Sequence, residues 1–176
     1  DTVDMCLRQK LDGGAITLGI SLLDCASSSG AESRARVREK LLRVAGRLVR
    51  VGEDVSAEFG VPIINKRVAV TPIALVAEPS GETDYAPWAV TLDEVATELG
   101  IDFVGGFSAL VQKGMTVGDE RLIASIPRAL AATSRVCSSI NLGTTKNGIN
   151  MDAVRRMGDV VKETARLTAD TDGIGC

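Results

Sequence analysis

The chain has 176 residues, 45% of them hydrophobic and only 3% aromatic, so it can bury one sizeable core built mainly from Val, Ile, Leu and Ala. A net charge of −3 argues against a nucleic-acid partner, and no stretch approaches the roughly 20 continuous apolar residues that cross a bilayer. Histidine is absent, which removes Ser-His-Asp and Cys-His nucleophilic systems and histidine-held zinc or iron from this chain.

Taken in order, Thr2 to Leu11 reads as a short helix stopped by Gly13-Gly14. Ala15 to Leu23 is a nearly unbroken apolar run, the pattern of a strand buried on both faces. The loop Ala26 to Gly30 precedes one long helix from about Ser33 to Phe59, whose apolar positions from Val37 to Phe59 recur every three or four residues. Gly60 and Pro62 end it. Ile63 to Val76 holds a second strand, with Pro72 a break or an edge. A turn-rich segment, Glu78 to Pro87, leads to a helix over Ala89 to Leu99, for which Thr91 and Glu94 form a capping pair.

A short third strand follows at Ile101 to Val104. The run Gly105 to Gly114 then reads as a βα loop. Arg121 to Ala132 is helical and bent at Pro127. A fourth strand spans Arg135 to Leu142, and a last helix spans Met151 to Thr168 with Val154, Met157, Val161 and Ala165 on one face. Alternating strands and helices predict a mainly parallel sheet with helices outside, a single α/β domain over 1–176. The tail from Asp170 to Cys176 reads as a loop leading into another strand, and the start at Asp1 rather than Met suggests residues removed or left out ahead of it. Cys6, Cys25, Cys137 and Cys176 form no CxxC pair. That spacing, with no signal-peptide pattern, predicts reduced thiols in the cytosol.

Several blocks carry a family resemblance: Ile20 to Cys25, Ile64 to Val68, Gly105 to Gly114, Ser125 to Leu130 and Cys137 to Ser139. Gly148 to Met151 and Lys162 to Ala165 extend it. In that order they resemble the amino-terminal part of the family called domain of unknown function 711, over essentially the whole chain. The resemblance implies a pyruvate formate-lyase-like barrel of strands with helices outside, of which this chain is about the first half-barrel. It also implies a partner: the carboxyl-terminal half of the same protein, a second chain, or a further copy in a homo-oligomer. The glycyl-radical chemistry of that barrel is not carried over, because the Arg-Val-x-Gly-type segment and an adjacent Cys-Cys pair are both missing.

Strand ends are where α/β proteins bind ligands. Asp24 and Cys25 end the first predicted strand and Cys137 lies in the fourth. Either cysteine fits a thiolate nucleophile or thiyl site, or else a small buried hydrophobe. Lys66 and Arg67 could clamp a carboxylate or phosphate, or simply flank a strand's solvated start. Gly105, Gly106 and Ser108, and the segment Ser138, Ser139, Asn141, Thr144 and Lys146, have the small polar character of anion-binding loops, which turn chemistry alone would also produce. Asp24, Cys25, Ser108, Ser138, Ser139 and Thr144 are expected around one cavity. The carboxylates are scattered, so no dedicated metal site is expected, and no cofactor is indicated. The expected function is binding of a small anionic metabolite at the strand ends, with or without catalysis. The alternatives are a non-catalytic metabolite sensor and a subunit active only with its partner half.

Overall fold

The computed structural model describes residues 14–171. Four strands, β1 (Ala15–Ile20), β2 (Asn65–Val70), β3 (Phe103–Leu110) and β4 (Val136–Asn141), form one sheet in the order β1-β2-β3-β4, all parallel. The α/β class and the parallel sheet are therefore as expected from the alternation of periods. The proposed first helix, Thr2 to Leu11, lies outside the described residues, as does most of the tail.

Helices α1 (Gly30–Ala45), α4 (Ala86–Leu99), α5 (Val117–Ala131) and α6 (Met151–Leu167) pack in series, each against the next, below the sheet. A further helix, α2 (Leu48–Phe59), lies near β2, and the short α3 (Ile73–Ala77) follows that strand. The core sits between this layer and one sheet face, where Ile20, Val68, Val70, Val104, Phe107 and Val136 meet Val37, Leu41, Trp88, Leu92, Leu122 and Ile126. With so few aromatic rings, fully buried Trp88, Tyr85 and Phe107 supply much of its bulk.

Several boundaries differ from expectation. The single long helix is two, broken at Gly46-Arg47. Gly46 has no side chain to hold the helical turn, and a Cβ there would lie 2.7 Å from the Leu42 carbonyl oxygen. The first strand stops at Ile20 and gives way to a 3₁₀ turn over Leu23–Cys25. Thr91 is not a cap: α4 starts at Ala86 with Pro87 in its first turn, and the Thr91 hydroxyl donates to the Pro87 carbonyl inside the helix. Likewise α5 starts before Arg121, at Val117, because Thr116 and Asp119 form a reciprocal capping box. Thr116→Ala is expected to lower unfolding free energy by about 1 kcal/mol, measured by urea denaturation; an unchanged midpoint would remove that role.

The largest difference concerns Gly105 and Gly106, expected in a loop and found inside β3. The strand continues to Leu110 through a bulge between Gly105 and Phe107. Gly106 adopts φ +126°, and a Cβ there would lie 2.7 Å from the Val70 carbonyl oxygen. The bulge puts an extra residue on β3 against β4. Phe107 is thereby returned to the core face beside Ser138, while Ser108 stands opposite Ser139.

The strands are also not buried on both faces. Thr17, Gly19, Arg67, Ala69, Phe103, Cys137 and Ser139 are exposed on the face away from the helices. Parallel sheets ordinarily have both faces covered. Here, among the described residues, one face has its helices and the other is open.

Candidate functional site

The open face carries a concavity of about 350 Å³, lined by Thr17, Arg67, Val68, Ala69, Phe103, Gly105 and Cys137. Strand register explains the set. Thr17, Arg67 and Phe103 are cross-strand neighbours in one row, and Gly19, Ala69, Gly105 and Cys137 form the row two residues further on. Because side chains alternate across a strand, these rows share a face. The second row has almost no side-chain bulk at Gly19, Ala69 and Gly105, so the floor is nearly bare backbone. Arg67 and Phe103 rise beside it, the guanidinium carbon 5.4 Å from the ring centroid.

Arg67 is the charged group of this hollow. Among the described residues it has no carboxylate partner, whereas Arg34, Arg36, Arg38, Lys40, Arg128, Arg156 and Arg166 each pair with Asp or Glu. Cys137 has an exposed thiol on the same floor, opposite Gly105.

Of the residues singled out in the sequence, Arg67, Gly105 and Cys137 line the hollow. Ser108 and Ser139 are paired on the same face, one row nearer the carboxyl ends, where the Ser108 hydroxyl donates to the Gly106 carbonyl at 3.3 Å. Asn141 follows Ser139 by two, and its side-chain oxygen accepts from the Gly143 amide. The other candidates lie elsewhere. Lys66 alternates to the helix side, against Gly52 of α2. Ser138 also faces the helix side, its hydroxyl donating to the Phe107 carbonyl at 2.8 Å. Thr144 and Lys146 belong to a small hairpin, β5 (Gly143–Thr144) with β6 (Gly148–Ile149), beyond β4. There the Thr144 hydroxyl accepts from the Asn147 amide. None of Asp24, Cys25, Ser108, Ser138, Ser139 and Thr144 lines this hollow.

Asp24 and Cys25 occupy the 3₁₀ turn after β1. Asp24 pairs with Lys40 at 2.5 Å, and that hydrogen bond holds its carboxyl below the usual carboxylate range. Cys25 is buried among core residues, and burial first, then the Asp24 charge, pushes its thiol above the ordinary value. A raised thiol pKa means the unfolded chain ionises first, so this group stabilises the fold fully below the ordinary value and less as pH climbs through the folded one. The two cysteines should therefore differ chemically. Iodoacetamide at pH 8 is expected to modify Cys137 and spare Cys25, read by peptide mass mapping of the native chain. Equal modification of both would contradict this assignment.

A second polar cluster lies beyond the carboxyl ends of the strands. The Glu82 carboxylate accepts from Arg34 Nη1 at 2.6 Å and Trp88 Nε1 at 3.1 Å, packed against Gly30 at the start of α1. The Glu78 carboxylate accepts from the Thr116 hydroxyl and the Gly118 amide at the start of α5. Arg121 Nη1 donates to the Glu82 carbonyl, near fully buried Tyr85, whose phenol burial pushes upward. Two helix N-termini that could attract an outside anion are thus occupied by the protein's own carboxylates. No helix among the described residues is long and apolar enough to cross a membrane.

Comparison with known proteins accords with the resemblance read from the motifs. The chain is 58% identical over its full length to a UPF0210 protein of Listeria monocytogenes, of which it covers 39%. It is 59% identical to a UPF0210 protein of Halothermothrix orenii and 57% identical to one of Acetivibrio thermocellus, again over the full chain and 39% of each relative. The chain thus spans about two fifths of the length of these relatives. The family described as Uncharacterised ACR (DUF711) matches residues 4–176, and the chain belongs to that family.

Proposed function

We propose that the open sheet face binds a small anionic metabolite, with Arg67 as its anchor. The observation that carries this reading is a guanidinium with no carboxylate partner among the described residues, beside a hollow whose floor is nearly bare backbone. A planar guanidinium held against Phe103 offers two parallel donors, the geometry that suits a carboxylate or a phosphate. The backbone-lined floor lets a flat ligand lie close to the sheet, and Thr17 adds a hydroxyl at the rim. The site therefore lies in the amino-terminal half of the open face rather than at the strand ends. Cys137 is the thiol in reach of covalent chemistry there; Cys25 is enclosed on the other side of the sheet. In this reading the chain is the first part of a larger barrel-like body, and the rest of the protein closes the hollow from above.

The test is a thermal-shift panel of short mono- and dicarboxylates and phosphate monoesters, run on the unaltered chain and on Arg67→Ala. At least one compound should raise the melting temperature of the unaltered chain and lose that effect in the variant. No shift with any compound, or a shift that survives Arg67→Ala, would count against the reading.

A further inference from the structure

We propose that the outer stripe of α6 and the open edge of β4 together receive the next strand-and-helix unit of the protein, carried by the longer relatives beyond the region this chain matches. This inference is independent of the ligand.

Met151, Val154, Gly158, Val161 and Ala165 recur at spacings of three, four, three and four along α6. That is the spacing of one apolar seam on a helix. It is not the seam that holds α6 in place, because α6 docks on α5 through a neighbouring stripe in which Ala153, Val160 and Thr164 are buried and Met157 is partly buried. The outer stripe is left in the open: Met151 is 67% exposed and Val161 54%. At its centre a Cβ added to Gly158 would meet nothing within 4 Å, so another backbone can approach closely there. Arg155 and Lys162 run along its margin without carboxylate partners among the described residues.

The topology identifies the occupant. Each strand pairs with its predecessor in sequence order, and α1, α4, α5 and α6 pack in the same serial manner. In that series α6 occupies the place of a crossover helix, and the strand it serves is one parallel to β4 on its unpaired edge. An open strand edge is a liability that proteins cover or pair, and among the described residues nothing pairs with this one. The curated relatives have the chain to do it, since this chain covers only 39% of them. The margin formed by Arg155 and Lys162 further specifies acidic residues beside the incoming apolar seam.

The test uses a full-length chimera in which this chain replaces the matched part of the Listeria monocytogenes relative. Val154→Cys, Val161→Cys and, on the solvent side of the same helix, Asp159→Cys are introduced singly. Maleimide labelling is followed site by site by peptide mass, in the chimera and in the 176-residue chain. Labelling at 154 and 161 should be at least about tenfold slower in the chimera, with position 159 unchanged. Equal rates in both proteins at all three positions would overturn the proposal. So would protection of 154 and 161 in the 176-residue chain alone, which would make a second copy the occupant. A chimera without the helical signal of its parents also counts against it, because two segments 58% identical over the exchanged region should be interchangeable.

Discussion

Gly106→Val should lower the unfolding free energy by about 2–5 kcal/mol, among the largest effects of any single substitution in the sheet. Two costs combine. At φ +126° a residue with a Cβ loses roughly 1–2 kcal/mol from the backbone conformation alone. The new side chain also meets the Val70 Cγ2 methyl and the Val70 carbonyl oxygen, and the carbonyl, a backbone atom, cannot retreat without shifting the end of β2; overpacking of this kind costs about 1–3 kcal/mol. For a chain of this length each kcal/mol corresponds to roughly 2–4 °C in melting temperature, so calorimetry should record a fall of about 4–20 °C. The neighbouring glycine is the control. A Cβ at Gly105 has the Val68 carbonyl oxygen, at 4.0 Å, as its nearest atom, and Gly105→Ala should cost less than about 1 kcal/mol. If the two substitutions have equal effects, the bulge is not where β3 is constrained.

The second large effect is on binding. A hydrogen-bonded charged partner contributes about 1.5–3 kcal/mol, so removing the guanidinium in Arg67→Ala should weaken an anionic ligand by roughly 10- to 100-fold. Arg67→Glu adds like-charge repulsion and should abolish measurable binding by calorimetric titration. Arg67→Lys should recover only part of the affinity, because an ammonium keeps the charge but not the planar two-donor geometry or the stacking on Phe103. Circular dichroism should match across the three variants, since Arg67 is exposed and lies off the core. Full recovery by Lys would reduce the role of Arg67 to charge alone.

Much of the fold could be read from the chain. Ala15 to Ile20 and Val136 to Asn141 both lie within runs that read as strands, and the alternation with helical periods fixes the parallel class. What could not be read is a consequence of pairing. Glycine is ordinarily a strand breaker, so Gly105-Gly106 reads as a loop until the Val70 carbonyl is seen to occupy the space a side chain would need. The same limit applies to the site. Arg67 and Cys137 were recognisable as reactive types, but Thr17, Ala69 and Phe103 are ordinary strand residues. They join the site only through the register that places Thr17 and Phe103 beside Arg67 and Ala69 beside Gly105. Lys66 and Arg67 read together as a clamp because they are adjacent in sequence, yet adjacency in a strand sends the two to opposite faces. Asp24 and Cys25 read as a strand end because the apolar run continues to Leu23. The backbone instead turns after Ile20 and carries Cys25 into the helical layer.

The central claim, that an anion rests on the open face beside Arg67, is tested most directly by amide chemical-shift mapping. The chain is labelled with ¹⁵N and titrated with the compound that gives the largest thermal shift. The account predicts that the largest perturbations fall on Thr17, Arg67, Ala69, Gly105 and Cys137, and that they vanish in Arg67→Ala. Perturbations confined to the 143–149 hairpin or to the Glu78–Glu82 segment, with Ala69 and Gly105 unmoved, would contradict it.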